Sequence, residues 1–151
     1  MKQALQQALR CDGLPLPAEF FQPRPDTYAR RLLHRDPDGR YTAVVMTWGP
    51  GQGTPLHDHG RSAGAFAVVR GVLTERVFAT GPSGAHETTA RLGGDRLRQF
   101  GEHYVHEVTN DDDEPAVSVH VYTPALREMN TYDVRGGRLL RTGTEKAGVD
   151  W

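Results

Sequence analysis

The chain has a single cysteine, Cys11, in 151 residues. That excludes an internal disulfide framework and any site built from several thiolates, so a bound metal would have to take histidine or carboxylate ligands. Long apolar runs are missing as well. No segment approaches the roughly 18 residues of a membrane-spanning helix, and the opening M-K-Q-A-L-Q-Q-A-L-R has no apolar stretch of signal-peptide length. A cytoplasmic protein with no membrane partner is expected. Neither sign of charge dominates: charged residues make up 25% of the chain with a formal net charge of -1, which leaves no basic surface for nucleic acid. Internal repeats and low-complexity tracts are lacking too, and 37% hydrophobic content over this length suits one compact domain.

What is present is a change of periodicity along the chain. Leu5, Ala8 and Leu9 stand at helical spacing and predict a short amphipathic helix ending before Gly13, Pro15 and Pro17. From Tyr41 onward come short segments rich in β-branched and aromatic residues: T-A-V-V-M-T-W, A-F-A-V-V-R, V-L-T-E-R-V-F-A and A-V-S-V-H-V-Y. Bounded by Gly, Pro, Asn and Asp, they read as strands of a mostly antiparallel β structure. Arg70-Gly71 reads as a tight turn, G-P-S-G at 81–84 as a looser one, and Thr109 to Pro115 as a solvated loop.

Two of the seven histidines stand one residue apart in T-P-L-H-D-H-G-R-S-A-G. In a strand, His57 and His59 would project to one face and Asp58 to the other, so two imidazoles could share one ion. The spacing from Gly51 to Gly71, G-x5-H-x-H-x4-G-x6-G, resembles the first motif of the cupin superfamily, with Gly64 where a glutamate usually stands. His106, followed by Asn110, resembles the second cupin motif and its further histidine. His103 is the rival ligand, and strand parity would put only one of the two on the metal face. His34 and His86 read as surface residues.

Three neutral imidazoles without a carboxylate would leave a divalent ion its full charge and about three open positions. Such an ion favours a ligand that brings its own negative donor, for example a thiolate, whose thiol it would acidify. A closed structural zinc site would need a fourth ligand, and none is evident. Within A-V-S-V-H-V-Y, Ser118, His120 and Tyr122 share one face while Val117, Val119 and Val121 share the other. The polar face suits the lining of a wet site, and a hydroxyl, an imidazole and a phenol in a row can form a hydrogen-bond relay.

These segments together resemble the cysteine dioxygenases, thiol dioxygenases of the cupin superfamily. The likeness runs from about Tyr28 to Asp133 and includes W-G-P-G-Q-G-T-P-L-H-D-H-G-R-S-A-G, H-E-V-T-N, E-P-A-V-S-V-H-V-Y-T-P and M-N-T-Y-D in order. It implies a mainly β, single-domain cupin (jelly-roll) β-barrel with a short N-terminal helical segment. Residues 1–27 would form a helical or loop cap, 28–133 the barrel core and 134–151 a C-terminal tail; the small size and the missing cysteine are compatible with a monomer. It implies iron(II) held by His57, His59 and His106, and Ser118, His120 and Tyr122 as the relay beside it. A family arginine that holds the substrate carboxylate corresponds to Arg30 in Tyr28-Ala29-Arg30, or to Arg31 if no residue is inserted in the R-D-P-D-G turn.

Animal members carry a cysteine at the place of Gly64, cross-linked to the tyrosine matching Tyr122. That link cannot form here, and bacterial members commonly have glycine. The resemblance implies oxidation of L-cysteine by dioxygen to cysteine sulfinic acid, with both oxygen atoms passing to sulfur. Relatives that oxidise 3-mercaptopropionate typically have glutamine in place of the arginine, so Arg30 favours cysteine. A 3-mercaptopropionate dioxygenase and a non-catalytic cupin that senses a small ligand are the rivals.

Overall fold

The computed structural model describes residues 18–94 and 96–148. The helix expected around Leu5, Ala8 and Leu9, and Cys11 after it, lie outside the described residues. A short 3-10 turn, Ala18–Phe21, precedes ten strands: β1 (Ala29–Arg35), β2 (Thr42–Trp48), β3 (Ala63–Arg70), β4 (Val72–Gly81), β5 (Gly84–Gly93), β6 (Leu97–Phe100), β7 (Val105–Thr109), β8 (Ala116–Thr123), β9 (Glu128–Arg135) and β10 (Arg138–Lys146). All pairings are antiparallel.

One sheet runs β1-β2-β8-β3-β6 and a second β5-β4-β7, with β9 and β10 as a separate pair. β2 and β8 are interior strands of the first sheet, and every residue of β2 is buried. Its nearly unbroken apolar run is what a strand covered on both faces requires. Between the sheets lies the main core, to which Val44, Met46 and Trp48 of β2, Phe66 of β3, Leu73 of β4, Val108 of β7 and Met129 of β9 contribute. On the outer face of β8, Val117 and Val119 pack with Val45, and Val121 with Ala43 and Ala65. The alternation predicted for this strand therefore sorts its two faces as expected.

Turn chemistry closes the hairpins. Gly71, at φ +72°, joins β3 to β4, whereas the expected loose turn at G-P-S-G is a tight one with Gly81 paired to Gly84. Asp36 binds the backbone N–H of Asp38 and Arg40 and the Arg40 guanidinium, which closes the β1–β2 turn. That hydrogen-bonded arginine, chief among the causes, holds the Asp36 carboxyl down to about 2. The expected C-terminal tail differs from the structure: residues 138–146 form β10, paired along its length with β9. Its sequence, R-L-L-R-T-G-T-E-K, alternates only between half-buried and exposed positions. An edge strand with no buried face carries no hydrophobic signature to read.

Candidate metal centre

His57, His59 and His106 come together with potential ligand atoms all within 4.8 Å of one another. Each is at least nine-tenths buried. His106 lies on β7, but the H-x-H stretch is no regular strand. His57 forms a single-residue bridge to His106 on one side, through reciprocal backbone bonds of 2.9 Å, and to Thr131 of β9 on the other. One residue thereby ties β7 to β9 and presents its ring to the same space as His59, 4.9 Å away between ring centroids. His103 is outside the cluster: it occupies a turn before β7 at φ +62°, so turn geometry, not the strand parity expected from sequence, removes it. His34 and His86 are exposed, as expected.

Asp58 turns away from the imidazoles, as expected, and into the protein, where the residue is 5% exposed. It accepts hydrogen bonds from the N–H of Gly60, the backbone and side chain of Asn130 and the hydroxyl of Tyr132. Asn110 is fully buried and donates to the carbonyls of Trp48 and Glu114, fixing the loop after β7.

The Nδ1 of His57 lies 2.8 Å from the Pro55 carbonyl, and the Nδ1 of His106 lies 2.9 Å from Glu75. Both acceptors fix a proton on Nδ1 and leave Nε2 to bind an ion. The Nδ1 of His59 is buried without a hydrogen-bond partner among the described residues. Burial first, and the neighbouring His106 second, push His57 down to about 3. Burial also holds His59 well below its ordinary value. Neutral imidazoles are the ligating form, so the donor set fits a divalent transition metal such as iron, zinc or nickel.

Glu75 is the residue that sequence reasoning missed. It is fully buried in β4 and also accepts from the Tyr104 hydroxyl at 2.9 Å and from Arg98 at 2.6 Å. Burial opposes its charge, but the hydrogen bond from His106 and the other donors outweigh this and keep the carboxyl below its ordinary value. The available signal was a glutamate sharing one strand face with Leu73 and Val77, where a charge needs a partner.

Strand register sets the wall beside the imidazoles. Arg30 is opposite Met46, which is opposite Ser118; Val44 is opposite His120 and Tyr122 opposite Thr42. Partners in an antiparallel pair share a face, so Arg30 stands with Ser118, His120 and Tyr122. Arg30, Trp48, His120, Tyr122 and Met129 line the cavity at the three histidines. The guanidinium of Arg30 reaches the Tyr28 hydroxyl at 3.5 Å and the Met129 sulfur at 4.0 Å, whereas Arg31 turns to the Gln22 carbonyl. The cavity volume is about 10 Å3, room for one water, so a larger ligand requires side chains of its lining to move. A pocket of about 370 Å3 is lined by His59 with Arg61, Ser62, Arg127 and Glu128 among others.

Gly64 is opposite Tyr122 across β3 and β8. A Cβ there would sit 2.5 Å from Phe100 Cζ and 2.8 Å from the Val121 carbonyl oxygen. The Phe100 ring thus occupies the space a side chain at 64 would need. Gly64→Ala is expected to lower stability by about 1–3 kcal/mol, with part of the loss recovered when Phe100→Leu is added. Equal thermal midpoints for Gly64→Ala and the unaltered chain would show that the contact is not tight.

Antiparallel sheets enclosing three buried imidazoles that could hold one ion define a cupin barrel. The same fold is found in TT1209 from Thermus thermophilus, with a TM-score of 0.59 and 20% identity over 71% of this chain and 92% of that one. A Klebsiella pneumoniae protein with a double-stranded β-helix domain matches with a TM-score of 0.55 and 18% identity over 83% and 92%. Sequence places the chain within the fold: the profile of the family Cysteine dioxygenase type I matches residues 17–135, and the chain belongs to that family. Human cysteine dioxygenase type 1 is 30% identical, with 97% of this chain and 77% of the human protein covered. The zebrafish (Danio rerio) protein of that name is 31% identical over 80% of this chain and 61% of its own.

Proposed function

We propose that the protein is an iron(II)-dependent thiol dioxygenase that converts L-cysteine and dioxygen to cysteine sulfinic acid. The carrying observation is a cluster of three buried imidazoles with no carboxylate in the ligand set, facing a wall that offers one guanidinium and one phenol. The reaction RSH + O2 → RSO2H puts both oxygen atoms on sulfur, so it needs no reductant. Iron(II) held by His57, His59 and His106 would acidify the thiol and supply the redox chemistry.

The chain's own residues do the rest. Arg30 takes the substrate carboxylate in its planar fork and so orients the thiol toward the three histidines. Tyr28 supports that arginine through its hydroxyl and its ring, which lies 5.7 Å from the guanidinium carbon. Burial, foremost among the causes, pushes the Tyr122 phenol up to about 12, so it stays protonated and acts as a donor at neutral pH. The buried walls exclude bulk water and strengthen each of these interactions.

The same reading makes the protein a single-domain cytoplasmic monomer acting on a small thiol, with no nucleic-acid or membrane partner. No described helix is long and apolar enough to cross a membrane. Oxygen uptake by the iron-loaded protein with L-cysteine, 3-mercaptopropionate and cysteamine, with the product identified by mass, tests the proposal. Uptake is expected with cysteine, and the loss of the carboxylate in cysteamine is expected to reduce turnover most. Preferred turnover of 3-mercaptopropionate would move the substrate assignment, and no uptake with any thiol would leave a non-catalytic cupin. Tyr122→Phe is expected to lower kcat by about 100-fold with little change in KM; a sensor's ligand affinity would not register the change.

A further inference from the structure

The relay on β8 does not begin at Ser118. The indole Nε1 of Trp48, a fully buried residue of β2, lies 2.9 Å from Ser118 Oγ. Ser118 Oγ lies 2.7 Å from His120 Nε2, and the Tyr122 hydroxyl lies 3.4 Å from His120 Nδ1. Four side chains therefore form one line ending at the cavity. An indole N–H can only donate, so Ser118 must accept from Trp48. Ser118 is fully buried, and its hydroxyl proton has no acceptor among the described residues except His120 Nε2. Buried polar groups are paired in folded proteins.

We propose that Trp48 is a positioning residue that sets the direction of this relay: Ser118 donates to His120 Nε2, His120 keeps its single proton on Nδ1 and gives that bond to Tyr122. The phenol oxygen then acts as acceptor toward His120, and its own proton is directed into the cavity. Phe66 fixes the plane of the His120 ring by stacking on it, with centroids 4.9 Å apart and planes 11° from parallel. Trp48 also packs against Tyr28 at 5.1 Å, so the same indole supports the side of the cavity that holds Arg30. The opposite polarity, with His120 protonated on Nε2, would leave the Ser118 proton without an acceptor and point the Tyr122 proton back at His120.

This polarity belongs to the fold and holds whichever thiol reacts; its use in catalysis rests on the dioxygenase reading. Side-chain 15N–1H correlation spectra of the whole chain, metal-free and zinc-loaded, report the tautomer of His120, assigned by comparison with His120→Gln. The expected pattern is Nδ1 protonated and Nε2 bare. A dominant Nε2-protonated form would overturn the proposal. In Trp48→Phe, Ser118 is released to accept, and the His120 tautomer should become mixed; an unchanged single tautomer would remove Trp48 from the relay.

Should Trp48→Phe fail to fold, Ser118→Ala makes the same test with less volume lost. It should shift the Trp48 indole proton upfield and free the His120 tautomer, and no change in either would overturn the proposal. In turnover, Trp48→Phe should lower kcat by about 10-fold and add nothing further in a Tyr122→Phe background. Additive losses in the double variant would show that the two residues act separately.

Discussion

Glu75→Gln is expected to weaken metal binding by about 10–100-fold while leaving all three imidazoles in the chain. Glu75 accepts three hydrogen bonds in a fully buried position, from His106, Tyr104 and Arg98. Glutamine keeps one carbonyl oxygen, and its NH2 group would face a donor it cannot satisfy. If the carbonyl serves His106, the amide meets the Arg98 guanidinium; if the amide is turned, His106 loses its acceptor. The first arrangement sets two donors against each other and the second frees the His106 ring to rotate or change tautomer, and in both the half-buried arginine loses its counter-charge. Stability should fall as well, by about 1–3 kcal/mol for the unpaired buried donor. Zinc titration against a competing chelator measures the first effect and thermal unfolding the second. Unaltered zinc affinity in Glu75→Gln would mean that the backbone bridge to His57 alone orients His106.

The largest loss of stability is expected at Asp58. Asp58→Ala removes the acceptor for four donors, the N–H of Gly60 and of Asn130, the Asn130 amide and the Tyr132 hydroxyl. Each stranded donor costs about 1–3 kcal/mol unless water reaches it, so a total of about 3 kcal/mol or more is expected. For a chain of this length that corresponds to a fall of roughly 6–12 °C in Tm. Asn130 in turn accepts from Thr144 on β10, so the network fastens the histidine segment to β9 and β9 to β10. Asp58→Asn should lose much less, because one amide oxygen still serves Gly60 and Asn130 while its NH2 can donate to the Tyr132 oxygen. Equal losses in the two variants would show that charge, rather than the pattern of acceptors, is what matters there.

Residues whose chemistry is local are legible in the amino-acid sequence. His57, His59 and His106 stand out because few residue types ligate a metal. Ser118, His120 and Tyr122 stand out because a strand repeats every two residues, a spacing written in the chain itself. β8 is legible for the same reason, β2 is legible from its run of β-branched and apolar residues, and Arg30 is legible through the family likeness of the segment around it.

The partners of these residues are not legible, because contact between distant segments leaves no local trace. Glu75 meets His106 from 31 residues away through the pairing of β4 with β7. Trp48 meets Ser118 from 70 residues away across β2 and β8. The exclusion of His103 follows from one backbone angle in a turn, and β10 is hidden because an exposed edge strand buries too little to enforce a pattern.

By itself the sequence determined the mainly β class, the candidate histidines and the polar face of β8, since these depend on residue chemistry and on the period of a strand, while Arg30 came with the family likeness. Only the tertiary structure decided which buried carboxylate holds which imidazole, that Asp58 is an internal fastener, and in which direction the line from Trp48 to Tyr122 can donate. Those follow from register and burial: a polar group withdrawn from water must find a partner, and which partner it finds is set by the strands that lie beside it.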